Sequence, residues 1–310
     1  NCRRAQPTVG PTGTILPPMA LTQLLDLPAP AKLNLFLHVV GRRSDGYHLL
    51  QSVFVLIDWM DTLHLDLRRD GQISREDLGT RLPDDDLCLR AARILQEVSG
   101  CHLGVHIGIE KRVPWGAGLG GGSSDAATVL LGLNRLWGLD WTRQRLLDIG
   151  LKLGADVPFF IGGRNAWVEG IGESLTPIEL PSSQFVVLKP AAAIPTAAIF
   201  SSPLLRKDSP RSTMSVFLAD PNKFVRNDLQ EAAQAHCKEV DEALSWLSCR
   251  VGPARMTGSG SAVFARAWGN PGADGSSVAL EQALAALPDE WKIRRCHSVD
   301  RHPLWAWAAD

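Results

Sequence analysis

The chain has 310 residues, 45% of them hydrophobic, and its 32 basic and 33 acidic side chains leave a formal net charge of −1. That length suggests two domains with sizeable cores, and the charge balance, without a basic block or an acidic tail, argues against a nucleic-acid-binding body and for a small-molecule partner. The six cysteines are scattered with no C-x-x-C pair, which reads as reduced thiols in a cytoplasm, and no apolar run reaches the roughly 18 residues of a membrane span.

Residues 1–27 are rich in Pro, Thr and Gly without sustained periodicity, so they are expected to be a disordered appendage, with Met19 as the candidate start. From Lys32 onward, Leu33, Leu35, Leu37 and Val39 alternate with Asn34, Phe36 and His38, the period of a strand that turns Lys32 and Asn34 to one face. The turn at 41–48 carries Asp45-Gly46 for its positive φ and the chain's one tyrosine, Tyr47, beside His48. A Tyr-His pair on a loop suits stacking on a base and bonding to its edge, although ordinary loop packing is the plainer account. Strands are expected at 52–59, 62–67 and 104–110, with a helix before the last of them. Leu87, Ala91, Ile94, Leu95 and Val98 mark its buried face, and Asp84, Asp85 and Asp86 supply cap and dipole complement. His64, His102 and His106 share no ligand spacing with cysteines or carboxylates, so no zinc site is expected.

The most informative stretch runs from Pro114 through Gly116, Gly118, Leu119, Gly120, Gly121 and Gly122 to Ser123 and Ser124, and passes straight into an apolar helical pattern. Glycines without a Cβ let backbone N–H groups turn toward one point and let an anion come close. The helix that follows, with Ser123 or Ser124 as its expected cap, aims its free donors and positive dipole end at the same point. A Walker loop is excluded, because Gly121 is followed by Gly122 and Ser123 and no lysine is present. Gly116, Gly118 and Gly121 do satisfy G-x-G-x-x-G. A dinucleotide fold, however, needs the glycines immediately after a strand, whereas residues 111–115 intervene; a protein kinase needs His-Arg-Asp and Asp-Phe-Gly downstream, and neither follows.

A helix is expected at 142–153, and then Asp156 stands at a break two residues before Pro158, where a helix N-cap and a catalytic carboxylate both fit and are compatible. Gly162-Gly163, Glu169-Gly170 and Gly172-Glu173 mark turns, and the proline-rich ground at 177–183 is the expected domain boundary. The second half reads as a strand at 184–189, a segment at 190–200 kept extended or turning by Pro190 and Pro195, and a long helix from Asn227 with His236 at its core edge. Strand, glycine turn and strand follow over 254–265, then a helix at 277–287 and a strand at 292–299, a β-α-β-β-α-β-like order.

Four separated motifs carry a resemblance. The glycine loop is similar to the second motif of the GHMP small-molecule kinases, and Met256-Thr257-Gly258-Ser259-Gly260-Ser261 to their third. Pro30-Ala31-Lys32-Leu33-Asn34-Leu35 with Asp45-Gly46-Tyr47-His48, and Leu153-Gly154-Ala155-Asp156-Val157-Pro158-Phe159, resemble the branch of that superfamily that acts in the non-mevalonate isoprenoid pathway. The match runs from about Pro28 to about Phe264. It implies a two-domain α+β fold, with an ATP-binding domain over 28–180 containing a left-handed β-α-β unit and a ferredoxin-like substrate domain over 181–310. It further implies phosphorylation by ATP, with Mg²⁺, of the C2 hydroxyl of 4-diphosphocytidyl-2-C-methyl-D-erythritol, by a monomer or homodimer without nucleic-acid or membrane partners. A homoserine- or mevalonate-type GHMP kinase and a non-catalytic nucleotide-binding module are the alternatives.

The resemblance also implies roles. Asp156 would accept the hydroxyl proton, and Lys32 would keep that carboxylate ionised and neutralise oxygen charge as it develops. Residues 114–124 would bind the ATP phosphates, with Ser124 the candidate Mg²⁺ ligand. Tyr47 and Phe200 would stack on cytosine, His48 would bond its edge, Asn34 and Thr196 would contact the sugar or methylerythritol side, and Gly258 and Gly260 would close over the diphosphate region. Asp85-Asp86-Leu87 departs from the family's Asp-Asn-Leu, in which the asparagine lies near adenine, and an aspartate cannot donate as an amide does.

Overall fold

A computed structural model describes residues 21–267 and 287–310. The expectations for residues 1–20, Met19 among them, and for nearly all of the helix at 277–287 lie outside the described residues.

Two long antiparallel strands organise the chain. β1 (Gln23–Arg42) pairs with β2 (His48–Arg68) from Gln23↔Asp66 to Arg42↔His48, with register shifts on the way. Residues 23–27 are therefore strand and not appendage; Leu27 is buried beside Leu63 and Leu65, and the prolines at 28 and 30 hide that continuity from a periodicity reading. The strands expected at 52–59 and 62–67 are one strand, because Asp61, the polar residue that interrupts the alternation, is itself buried within it.

β3 (Ile73–Asp77), absent from the sequence reading because it is polar, lies parallel to β4 (Gly104–Glu110) and is joined to it by α1 (Leu87–Ser99), a β-α-β unit. Asp86 caps α1 by accepting from the Leu89 N–H, and Gly100 ends it at φ 66°. α2 (Gly121–Leu136) is buried almost all round from Ser124 onward, packed on β1 and β2 on one side and on α1 and α4 on the others. It starts earlier than expected: Gly120, at φ 72°, is its N-cap and no side chain caps it, so neither Ser123 nor Ser124 does. α3 (Arg143–Leu153), capped by Thr142, and α4 (Val157–Gly162) complete the helical layer, and β5 (Ala166–Glu169) with β6 (Ser174–Pro177) extends the sheet from β2.

The second half contributes β7 (Gln184–Lys189), α5 (Thr196–Phe200), α6 (Met214–Ala219), α7 (Gln230–His236), α8 (Lys238–Arg250), β8 (Ala254–Met256), β9 (Val263–Arg266) and β10 (Lys292–Val299). Two expectations are corrected here. Residues 196–200 form a short helix, since Pro195 sits just outside it, where a proline costs no intrahelical hydrogen bond. The long helix from Asn227 is broken at Cys237, whose φ of −146° is extended, and His236 is exposed rather than at the core edge.

β10 pairs with β7 along Lys292–His297 and with β2 through Ser298 and Val299, giving the sheet order β3-β4-β2-β10-β7-β9-β8. After β10 the chain returns to the first half. Leu304 and Ala308 join the core under α2–α4, and Arg143 holds the carbonyls of Trp305 (2.7 Å) and Ala308 (2.8 Å). Among the described residues no helix is long and apolar enough to cross a membrane, no three His, Cys, Asp or Glu side chains group to hold a metal, and all cysteines are free.

Candidate active site

The strand alternation that turns Lys32 and Asn34 to one face delivers both into a buried polar knot. The Lys32 ammonium donates to Asn34 Oδ1 at 2.6 Å, lies 4.4 Å from the centre of the Phe54 ring, and faces Asp156 Oδ2 at 3.6 Å. Lys32 is 3% exposed, and burial lowers its pKa against the opposing pull of Asp156. Asn34 is oriented in turn. Its amide nitrogen donates to Ser52 Oγ at 3.0 Å, its backbone N–H donates to Thr257 Oγ1 at 2.9 Å, and the Thr257 hydroxyl donates to Asn34 Oδ1 at 3.3 Å. Of the Asn34 side chain, one amide hydrogen remains for a ligand.

Asp156 occupies the N-cap position of α4 but makes no capping hydrogen bond with its side chain. Of the two roles that fit its place in the sequence, the structure shows the cap unused, while the carboxylate stands beside Lys32 with its side chain 33% exposed. A base that must reach a substrate hydroxyl needs that combination of a fixed neighbour and an open side.

The glycine loop joins this pair directly, because the Lys32 N–H donates to the Leu119 carbonyl at 2.9 Å. Gly116, Gly118 and Gly120 have φ of 62°, 73° and 72°, where a side chain would be strained. At Gly118 a Cβ would lie 2.3 Å from the Thr257 carbonyl oxygen, and at Gly258 it would lie 2.8 Å from the Gly118 carbonyl oxygen. The loop and the 257–260 turn therefore touch backbone to backbone, and Asn227 fixes that turn by donating to the Met256 and Gly258 carbonyls at 2.9 and 2.8 Å. Gly121, Gly122 and Ser123 form the first turn of α2, with free amides aimed forward, and Pro114 enters the loop half-buried. Ser124 is fully buried, and its hydroxyl oxygen has no hydrogen-bond partner.

Beyond Asp156 opens a cavity of about 690 Å³, lined among others by Arg42, Tyr47, His48, Ala155, Thr196 and Phe200. Tyr47 is 60% exposed. The ring that faces Phe200 is that of His48, at 5.3 Å between centroids and 22° between planes, so Tyr47 and Phe200 share the cavity without forming a pair of their own. The His48 pKa is lowered by burial and by the charges of Arg42 and Lys207, so a neutral ring, donor on one nitrogen and acceptor on the other, faces the cavity at neutral pH. The Thr196 hydroxyl is 2.8 Å from that of Ser259, which ties α5 to the 257–260 turn; Gly258 and Gly260 are both buried.

Sequence reasoning named Lys32, Asn34, Asp156 and the glycine loop, and the structure brings them together. Asp86 is engaged elsewhere, accepting from Leu89 N at 3.0 Å and from Arg75 Nη1 at 2.9 Å. Phe54, Ser52 and Asn227 were missed. Phe54 and Ser52 are ordinary strand residues, and Asn227 carried only a signal for a helix start.

Comparisons with known proteins identify the family. The GHMP kinases N terminal domain family matches residues 86–164, and the GHMP kinases C terminal family matches residues 216–292. A 4-diphosphocytidyl-2-C-methyl-D-erythritol kinase of Methylibium petroleiphilum is 61% identical over 290 residues, which cover 94% of this chain and 100% of that protein. A crystal structure of 4-(cytidine 5'-diphospho)-2C-methyl-D-erythritol kinase superposes with a TM-score of 0.72 at 33% identity, over 89% of this chain and 99% of that one. The homoserine kinase of Cytophaga hutchinsonii superposes at 0.64 with 16% identity, over 93% of this chain and 97% of that one, and so shares the fold alone. This chain belongs to the 4-diphosphocytidyl-2-C-methyl-D-erythritol kinases, a family of ATP-dependent GHMP small-molecule kinases.

Proposed function

We propose that this chain transfers the terminal phosphoryl group of ATP to the C2 hydroxyl of 4-diphosphocytidyl-2-C-methyl-D-erythritol, with Asp156 as the proton acceptor and Lys32 as its cationic partner. One observation carries the reading: the Lys32 ammonium stands 3.6 Å from Asp156 while its own backbone N–H is bonded to Leu119 of the glycine loop. A phosphoryl donor held by that loop and an acceptor held beside Asp156 would meet at the lysine. Phosphoryl transfer passes through a loose transition state, so positioning and charge stabilisation supply most of the rate and a carboxylate suffices as base.

The loop Gly116–Ser124 holds the ATP phosphates through its free amides, which end at Ser123 because the Ser124 N–H donates to the Gly120 carbonyl. Asn34, with its carbonyl oxygen occupied by Lys32 and Thr257, aims the lysine and offers its one spare amide hydrogen to the substrate. Cytosine enters between Tyr47 and Phe200, displacing His48 from the Phe200 face so that its ring meets the base edge. Thr196 contacts the methylerythritol side, and Gly258 with Gly260 covers the diphosphate. Mg²⁺ fits the Ser124 hydroxyl, a buried oxygen without a partner, and when bound supplies charge neutralisation to the phosphates. With β1 included from Gln23, residues up to about 180 form the nucleotide domain and 181–310 the substrate domain, with the last residues strapped back onto the first, in a cytoplasmic monomer or homodimer.

A panel of alcohol acceptors with ATP and Mg²⁺ tests this. The cytidylated methylerythritol should be phosphorylated at its tertiary C2 hydroxyl, seen as a new phosphomonoester resonance by ³¹P NMR, with homoserine and mevalonate at least about 100-fold poorer in kcat/KM, the worth of one lost base-binding contact set. Preference for homoserine or mevalonate would refute the acceptor assignment, and no transfer to any alcohol would leave only a nucleotide-binding module.

A further inference from the structure

The chemistry above leaves unused a buried charge cluster at the root of the glycine loop. Asp61, on β2, is fully buried; its Oδ1 accepts from the backbone N–H groups of Arg112 (2.6 Å) and Val113 (2.8 Å), and its Oδ2 accepts from the Lys111 ammonium. Lys111 also donates to Asp125 Oδ2 at 2.6 Å, in the first turns of α2. The Lys111 and Asp125 side chains are 7% and 3% exposed. The far oxygen of Asp125 has no hydrogen-bond partner. Burial works against the charge on Lys111, but its two carboxylate neighbours outweigh that and raise its pKa; burial, with the nearby Asp61, pushes that of Asp125 well up.

Three elements meet in these contacts: the central strand, the entrance to the loop, and the start of the helix whose amides face the phosphates. The fit is close. A Cβ at Gly121 would lie 3.1 Å from Val113 Cγ1 and 3.3 Å from the Lys111 ammonium, so the first residue of α2 rests on the cluster itself. Among the described residues, all three carboxylate and ammonium groups are buried, and their hydrogen bonds and ion pairs run to one another and to the backbone at 112–113, none to Lys32 or Asp156.

We propose that Asp61, Lys111 and Asp125 are positioning residues for the phosphate cradle, fixing where α2 begins relative to β2 and so aiming the amides of the loop, without touching the nucleotide. The proposal rests on the reading of residues 114–124 as the ATP-phosphate site. Hydrogen-bond geometry makes the members unequal. Both oxygens of Asp61 accept, so an asparagine there must turn an NH₂ toward a donor, whereas an asparagine at 125 can keep its oxygen on Lys111 and place its NH₂ where Asp125 has no partner.

The test is the Kd of Mg²⁺·ATP by calorimetry, with KM values for both substrates, at a temperature where each variant is folded. Asp61→Asn and Lys111→Met should weaken ATP binding at least tenfold, with the KM of the cytidylated acceptor within twofold of wild type. Asp125→Asn should stay within threefold on both. Should Asp61→Asn fail to fold, Lys111→Met, which leaves the two backbone bonds to Asp61 intact, carries the same expectation. A lower Tm with unchanged ATP affinity in Lys111→Met would overturn the proposal and leave the cluster a stabilising one. Equal losses in Asp125→Asn and Lys111→Met would overturn it too, since charge alone would then matter. If the wild-type chain fails to bind ATP, the reading of the loop falls instead, so the two failures are distinguishable.

Discussion

The two ends of the cleft are built on opposite terms. At the phosphate end, Lys32 and Asn34 are 3% and 1% exposed, Asn34 is held by hydrogen bonds to Lys32, Ser52 and Thr257, and the loop meets the 257–260 turn backbone against backbone with no room for a Cβ. At the base end, Tyr47 is 60% exposed, His48 and Phe200 rest on each other, and the cavity is wide. Phosphoryl transfer depends steeply on distance and angle, so under the proposed roles a buried, hydrogen-bonded Lys32 and Asn34 would be placed before substrate arrives. A flat base can be gripped by rings that move onto it, at some cost in affinity and little in rate.

That contrast can be broken first at Gly118. Gly118→Ala sets a Cβ at φ 73° and 2.3 Å from the Thr257 carbonyl oxygen, so the loop or the turn must shift. The KM for ATP should rise at least about 100-fold or kcat fall as far, the cost of a misplacement near 1 Å. Gly138→Ala, at φ 64° with nothing within 4 Å of the new Cβ, is the control: it should cost about 1 kcal/mol of stability and leave both constants unchanged. Steady-state kinetics on the pair decide whether the close approach matters or only the positive φ.

At the base end Phe200→Ala should act more gently. Loss of one stacking face predicts a KM for the cytidylated acceptor raised roughly tenfold to 100-fold, with kcat within about threefold. A fall in kcat with KM unchanged would mean that Phe200 belongs to the rigid end after all.

The smallest effect lies outside the cleft, where the returning C-terminal residues meet the first half. His302 is buried, its Nδ1 accepts from the Leu304 N–H at 3.1 Å, and burial next to Arg143 lowers its pKa from 6.5 to about 3. The folded protein thus holds the neutral ring, while the unfolded chain binds a proton below 6.5. The stability is complete above that pH and is lost as pH falls, by about 2 kcal/mol near pH 5. His302→Asn, which keeps an acceptor for Leu304, should abolish that part of the acid sensitivity in urea titrations, with activity at neutral pH unchanged. An unaltered slope of stability against pH would place the proton elsewhere.

The phosphate end was the more legible of the two in the sequence. Its signals are local: a period-two alternation that puts Lys32 beside Asn34, a run of glycines that only a close backbone approach requires, and a carboxylate at a helix start. What escaped was set by distant neighbours. The Thr257 hydroxyl that orients Asn34 comes from 223 residues away, and nothing in either segment names the other. The start of α2 was misplaced because serines are the usual caps, whereas here a left-handed Gly120 ends the loop and leaves the first amides free. β3 was hidden by its charges, since a strand beside a single parallel neighbour need bury little. The break at Cys237 leaves no local mark, because the apolar spacing continues across it. At the base end, the residues were named but their arrangement was not, as side chains in an open cavity choose among partners.

The central claim is that Asp156 takes the proton of an alcohol held beside a prebuilt phosphate cradle. The most direct measurement is the single-turnover rate of phosphoryl transfer in Asp156→Asn, with the Kd of ATP and of the cytidylated acceptor measured separately on the same protein. The rate should fall by about 10³-fold, within the range expected for loss of a general base, while both affinities stay within about threefold. A rate within about tenfold of wild type at full binding would contradict the account.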